Sequence, residues 1–284
     1  MKILIAHGSG PYPAGYPELL ADGLRTMGCD PVVQALPGRG SWSSGLRLKI
    51  ASRRMFAEHD PDLVHVISPD PWAADAFAEL GASVVHSTID RPSTSDWVIA
   101  PSREAYLRLR RAAPSLDYRI ACLPFALEPG EAAVGAGSFV LLTHDPADSD
   151  ASRWAQEAAY LIPEIPLQGE GDIRQARFLV HLSSTSEAWP AGVAEALGAG
   201  RPVISSWGGA ASEFVGEAVS GFLVAPGDVQ GLAASVEYLW NHPGEALFMG
   251  IQARDEAREN FGVQAHLKAL YKLYLRAGVS RLAI

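Results

Sequence analysis

Short apolar runs alternate with stretches of helical periodicity along almost the whole chain. In the first half the runs at 2–6, 31–35, 63–67, 83–86, 97–100 and 120–123 predict buried strands. Between them, 19–27, 44–58, 72–80 and 103–112 predict helices. Gly28 supplies a stop for the first helix, and Ser102 stands where an N-cap belongs. The pattern pauses at 130–137 (GEAAVGAG), a stretch of small residues that is the best linker candidate. It restarts with strands at 138–142, 178–182, 202–205 and 222–224, and helices at 152–160, 190–199 and 228–240. The end, 244–277, is helical with a break near 260–262. Such alternation implies parallel sheets covered on both faces, hence an α/β chain of two doubly wound domains. Ligands of such domains sit at the carboxyl ends of the strands, so the expected site is a cleft where two such ends face each other. The expected division is 1–130 and 131–262, with a closing helix at about 263–284 returning to the first domain.

Composition narrows the class. The chain has 284 residues, 48% hydrophobic and 19% charged, with two cysteines and a net charge of −9. A disordered chain would be poorer in apolar residues, a bulk-charge nucleic-acid binder would be basic, and a disulfide-stapled domain would hold more cysteine. No run is long enough to cross a membrane, and residues 1–6 read as a first strand rather than a signal peptide. The expected location is the cytoplasm. Charge is uneven: 13 basic and 14 acidic residues up to Gly130, then 10 and 18. No lysine lies between Lys49 and Lys268.

The densest chemistry is at 187–205 (EAWPAGVAEALGAGRPVIS). Glu187 and Glu195 bracket a helix opened by Pro190, which suits a first turn. Backbone N–H groups at Ala191, Gly192 and Val193 would favour an anion such as a diphosphate, and the two carboxylates could accept hydrogen bonds from sugar hydroxyls. Spacing alone leaves the plainer alternative open, since glutamate near a helix start also complements the dipole.

This segment resembles the donor site of retaining glycosyltransferases of the family-four, group 1 type, which have the GT-B fold. The resemblance runs over nearly all of 178–275. Residues 207–213 (WGGAASE) look like the family's Gly-Gly-x-x-Glu turn, with Gly209 and Glu213 in it, and 220–228 (SGFLVAPGD) look like its next strand and turn. The first half is similar more faintly: the loop 7–15 holds Gly8, Gly10 and Gly15, and 62–65 and 95–102 look like family strand ends. The resemblance implies that Glu187 contacts donor-sugar hydroxyls, Glu195 the ribose, and 191–193 the diphosphate, with Gly8, Gly10 and Gly15 lining the opposite wall. It implies transfer with retention of configuration, from a nucleotide-diphosphate sugar, with no metal and no further cofactor.

Three features depart from the family pattern. The acceptor-domain histidine would fall at Ile89, and His86 is the nearest substitute. The strand-Gly-Arg…Lys start of the donor domain is replaced by 139–149 (FVLLTHDPADS), with His144 near the arginine position and Arg153, Arg177 or Arg201 as candidates to replace the missing cations. The first domain is short. Its basic clusters, Arg47, Lys49, Arg53, Arg54 and Arg103, Arg108, Arg110, Arg111, read either as solvated helix faces or as a surface for an anionic acceptor or membrane. Trp72, Trp97 and Trp154 read as core residues or sugar platforms. The expected activity is therefore glycosyl transfer to an unknown acceptor: a glycan, lipid carrier or small molecule. The alternatives are a GT-B protein that binds a sugar nucleotide or a partner subunit without efficient turnover, and a sugar-nucleotide epimerase.

Overall fold

The structure is a computed structural model that describes residues 1–10, 12–38, 44–128 and 137–282. Most of the linker candidate, 130–136, lies outside the described residues. The chain divides into two compact units, Met1–Ala126 with Val263–Ile284, and Leu127–Gly262.

The first unit contains β1 (Lys2–His7), α1 (Tyr16–Thr26), β2 (Asp30–Ala35), α2 (Ser44–His59), β3 (Leu63–Ile67), α3 (Pro71–Ala78), β4 (Val84–Ser87), β5 (Trp97–Ala100), α4 (Arg103–Ala112) and β6 (Ile120–Cys122). The second contains β7 (Val140–His144), α5 (Ser149–Leu161), β8 (Leu167–Gln168), β9 (Leu179–Leu182), α6 (Ala191–Gly198), β10 (Val203–Ser206), α7 (Ala211–Phe214), β11 (Gly221–Val224), α8 (Val229–Asn241) and α9 (Pro243–Phe261). The closing helix α10 (Val263–Leu282) joins the first unit.

All strand pairs are parallel, in the orders β2-β1-β3-β4-β5-β6 and β11-β10-β9-β7-β8. Strand order reverses between β1 and β3 in one sheet and between β7 and β9 in the other. These switch points leave a crevice at the carboxyl ends of the strands, where such sheets bind ligands. The central strands β3, β4, β9 and β10 are buried at every residue, because helices cover both faces. In the first unit Leu4, Val64, Val66 and Val84 pack with Phe77 of α3 on one face. The other face is closed by α1 and α10, with Ile3, Ile5, Leu20, Leu24 and Leu270 buried. In the second, Val180, Ile204 and Val224 pack with Trp154, Leu232 and Leu239.

Local chemistry sets the helix starts. The Ser102 hydroxyl accepts from Ala105 N–H at 3.0 Å and caps α4 as expected. Asp148 caps α5 in the same way, accepting from Ala151 N–H, so this helix begins before the expected residue 152. The strand expected at 138–142 extends to His144, since Thr143 and His144 pair with His181 and Leu182 on β9 although their polarity reads as loop. The elements β8 and α7 have two and four residues, too few for a periodic signal. Among the described residues no helix is long and apolar enough to cross a membrane.

Gly23 marks the tightest helix contact in the first unit. A Cβ built there would lie 2.1 Å from Leu267 Cδ1 on α10, itself 1% exposed. Alanine improves helix propensity by ~1 kcal/mol, but overpacking costs ~1–3 kcal/mol. Gly23→Ala is expected to lower stability in urea unfolding, and Gly23→Ala/Leu267→Ala to cost less than the two single changes added together. Strict additivity would show that α1 and α10 do not meet through this pair.

Candidate functional site

The switch point of the second sheet gathers the residues singled out at 187–205. Leaving β9, the chain makes a loop that leads into α6. The loop is fixed beneath by Trp189, 6% exposed, whose ring meets Phe214 at 5.4 Å and Phe261 at 6.0 Å in edge contacts. It is fixed from the side by Gly209. The Ala210 N–H donates to the Glu187 carbonyl at 2.9 Å, and a Cβ on Gly209 would lie 2.5 Å from Glu187 N. Gly209 has φ 58°, which favours glycine.

Glu187 is half-buried and its Oε2 accepts from His181 Nε2 at 2.7 Å. His181 Nδ1 lies 3.0 Å from Thr143 Oγ1 on the adjacent β7. Glu195 is exposed on α6. Val193 and Ala194 N–H groups both donate back to the Pro190 carbonyl, at 3.1 and 3.2 Å. Val193 is therefore already engaged, against the expectation that it holds an anion. Ala191 and Gly192 remain as the outward donors of the first turn, and a Cβ at Gly192 would meet nothing within 4 Å. Glu213 is exposed on α7, and Trp207, just after β10, is 67% exposed.

The cation candidates separate by strand direction. Arg177 precedes β9 and Arg201 precedes β10, so both stand at the amino edge of the sheet. The start of α6 lies at the carboxyl edge, a strand length of ~13 Å away. Arg177 instead bonds the carbonyls of Gly137 and Trp240 and stacks 3.8 Å over the Trp240 ring. Arg201, 5% exposed, bonds the Arg174 carbonyl. Neither replaces the cations missing from the expected pattern. Arg153 is near the carboxyl edge but pairs with Asp150 at 2.7 Å on the exposed face of α5. His144, at the end of β7, shares Nδ1 with the Asp145 carbonyl at 3.2 Å and Ser152 Oγ at 3.3 Å. Asp148 is beside it. Slight desolvation would raise this carboxyl, but hydrogen bonds from Ala151 N–H and from the Ser184 hydroxyl and N–H outweigh it and hold the pKa below its ordinary value. The edge is thus rich in acceptors and helix-end donors and poor in free positive charge.

In the first unit Gly8 follows β1 and helps line a cavity of about 50 Å³ with Ser9, Leu36, Ser68 and Asp70. Gly10 admits the Tyr12 ring, 3.1 Å from where a Cβ would be, and Gly15 stands at the N-cap of α1. His86 does not meet the expectation of a catalytic group. It is 0% exposed, Nε2 bonds the Ser68 carbonyl at 2.8 Å, and Nδ1 bonds Ser93 Oγ at 2.9 Å. A carbonyl only accepts, so Nε2 carries the proton and Nδ1 accepts from the serine. No ring nitrogen is left for a substrate.

Other sequence candidates fall into ordinary packing. Trp154 is core, Trp97 is half-buried on β5, and Trp72 is 61% exposed at the start of α3. Lys49 pairs with Glu79, Arg54 with Glu58, and Arg108 with Glu104 and Asp90, as solvated helix faces do.

Sequence reasoning missed His181 and Thr143. Period two in 178–182 sets His181 on the face opposite Phe178, Val180 and Leu182. What Thr143 and His181 share, neighbouring positions on paired strands, depends on strand order.

Residues 173–260, inside the second unit, match the family model described as glycosyl transferases group 1. Solved structures with similar folds include a glycosyltransferase from Rickettsia africae (TM-score 0.75, 16% identity, covering 97% of this chain and 98% of that one). Sucrose-phosphate synthase from Thermosynechococcus elongatus matches with TM-score 0.72 and 15% identity, covering 98% and 99%. HepE from Anabaena, in complex with UDP-glucose, matches with TM-score 0.70 and 16% identity, covering 97% and 100%. At such identity the likeness is one of fold, and the fold is GT-B. No curated protein sequence matches this chain significantly.

Proposed function

We propose that this chain is a glycosyltransferase that takes its sugar from a nucleotide-diphosphate donor. The observation that carries this reading is the arrangement at the β7–β9 switch point. The open first turn of α6, at Ala191 and Gly192, stands between the held carboxylate of Glu187 and the exposed carboxylate of Glu195. Helix-end N–H groups suit a diphosphate, and carboxylates suit hydroxyls of a sugar and a ribose. The family match over 173–260 and the UDP-glucose held by HepE support the same donor class.

In this reading Glu187 accepts from the donor sugar and Glu195 from the ribose. Gly209 keeps the Glu187 loop in place, and Glu213 and His144 flank the site. Transfer retains configuration and needs no metal, because the oriented dipoles of α6 take up charge as the diphosphate leaves. The acceptor is bound by the first unit around Gly8 and Asp70. The location is the cytoplasm.

A second reading, binding of a sugar nucleotide without efficient turnover, is favoured by one observation. Arg177 and Arg201 are committed at the wrong edge of the sheet, and Arg153 is paired with Asp150. Loss of a single charge-stabilising donor in a transition state typically costs ~3–4 kcal/mol.

Thermal shift against uridine, guanosine, adenosine and thymidine diphosphates and their sugars tests the donor site, since a ligand of the native state raises Tm. One of the sugar nucleotides is expected to do so. Glu187→Ala and Glu195→Ala are each expected to weaken it by about tenfold, the loss for one hydrogen bond to a charged group. Unchanged affinity in both variants removes them from the site. Hydrolysis or transfer by the wild-type protein separates the two readings.

A further inference from the structure

The donor-site reading gives Glu187 a task that its backbone alone does not secure. Its carbonyl is held by Ala210 N–H, but a glutamate side chain keeps three torsions beyond the backbone. The group that limits them is His181. This side chain is 10% exposed, on the middle strand of the switch point, with Nε2 2.7 Å from Glu187 Oε2. Thr143, its register partner on β7, places Oγ1 3.0 Å from Nδ1. A carboxylate only accepts, so Nε2 donates to Glu187. In the neutral ring Nδ1 must then accept, and the Thr143 hydroxyl is the donor in reach. The Val180 carbonyl, 3.5 Å from Thr143 Oγ1, is the weaker of the two acceptors that hydroxyl faces. The result is a directional chain, Thr143 to His181 to Glu187, that ties down Oε2 and leaves Oε1 as the free acceptor.

We propose that His181, anchored by Thr143, is a positioning residue that sets the Glu187 carboxylate for the hydroxyl groups of the donor sugar. This rests on the donor-site reading. It goes further in assigning sugar recognition, as distinct from nucleotide recognition, to a group that touches no substrate. The prediction is selective. Loss of His181 should weaken the sugar nucleotide and spare the free nucleoside diphosphate, which meets α6 and Glu195 and does not need Glu187.

Calorimetry on the full chain with UDP-glucose, GDP-mannose, ADP-glucose and dTDP-glucose, each beside its free diphosphate, makes the comparison. His181→Phe is expected to weaken the sugar nucleotide by about tenfold, the effect of one charge-assisted hydrogen bond, and the free diphosphate by less than about twofold. His181→Gln, whose amide N–H can replace Nε2, is expected to recover most of the affinity. Thr143→Val, which removes only the hydroxyl, is expected to give a loss of about threefold in the same selective sense. In a Glu187→Ala background, His181→Phe is expected to add nothing, because its effect passes through that carboxylate. Equal losses of sugar nucleotide and diphosphate, or full additivity with Glu187→Ala, overturn the positioning role. If His181→Phe does not fold, Thr143→Val decides by the same selectivity. Should none of the panel bind the wild-type protein, the donor-site reading fails, and this inference with it. Binding that ignores both His181 and Thr143 overturns the inference alone.

Discussion

Acidification from neutral pH to about pH 5 is expected to destabilise the unit built from Met1–Ala126 and Val263–Ile284 far more than surface carboxylates would. Three of its histidines are buried and neutral. His65 is 0% exposed and bonds Tyr274 OH at 2.7 Å and Ser87 Oγ at 2.8 Å. His266 of α10 is 3% exposed and bonds Tyr16 OH at 3.0 Å and the Pro124 carbonyl at 2.7 Å. His86 lies between Ser93 and the Ser68 carbonyl. Burial pushes the His65 pKa from 6.5 down to about 3, with repulsion from His266 and His86 adding to it. Burial lowers His86 and His266 to about 4, against the pull of their carbonyl partners. In the unfolded chain all three return to ordinary imidazole values near 6.5. Between about pH 6.5 and 4 the unfolded state therefore binds more protons than the folded one. The stability these groups contribute is complete above 6.5 and falls as pH falls, levelling only below the folded values. Three coupled protons give a slope of up to about 4 kcal/mol per pH unit. Urea midpoints measured at pH 7.5, 6 and 5, with hydrogen exchange of β3 and β4 amides as the local reporter, check this. A midpoint constant over that range would contradict it.

Replacing Gly209 by alanine is expected to remove donor binding and loosen the second unit together. A methyl there would sit 2.5 Å from Glu187 N and 2.8 Å from Glu187 O, both rigid backbone atoms. A non-glycine residue at φ 58° also costs ~1–3 kcal/mol when nothing compensates. The loop bearing Glu187 must move, and Glu187 then leaves His181 and the start of α6. The expected outcome is a stability loss of at least ~2 kcal/mol in urea unfolding and a loss of sugar-nucleotide affinity greater than about tenfold. Gly244→Ala is the control, since its methyl would enter open space on α9, outside the proposed site. If Gly209→Ala kept full affinity, the packing of the Gly209 turn on Glu187 would not be what holds that loop.

Much of the fold was legible because apolar periodicity reports burial directly. Leu63–Ile67 is apolar around one histidine and is buried at every position, as a strand covered on both faces must be. Ser102 announced α4 because a hydroxyl before a helix has one obvious use. The short elements at 167–168 and 211–214 gave no signal, and the strand ending in Thr143 and His144 was read two residues early because polar residues can finish a buried strand when their neighbours supply partners. Glu187, Glu195 and Gly209 could be singled out from ordered motifs, and the structure brings the three to one carboxyl edge of the second sheet. His86 was misjudged for the opposite reason. A histidine near a strand end looks available in a sequence, whereas two hydrogen bonds and complete burial commit it to the core.

The sequence by itself determined the alternation of strands and helices, the break between two similar halves, and the chemical identity of the glutamates, the helix opened by Pro190 and the Gly-Gly turn. These are local properties: each depends on spacing over a few residues and on the side chain present. Tertiary structure alone decided which polar groups meet. Strand order placed Thr143 against His181, 38 positions away, and His181 in turn holds Glu187. Strand direction sent Arg177 and Arg201 to the edge away from the start of α6, although both stood as candidates to replace the missing cations. The fold also joined His65 to Tyr274, 209 residues apart, as a hydrogen-bonded pair with both side chains fully buried. The reason is the same in each case. Burial, hydrogen-bond partnership and the edge of a sheet on which a residue stands are set by which strands become neighbours, and no local pattern encodes that.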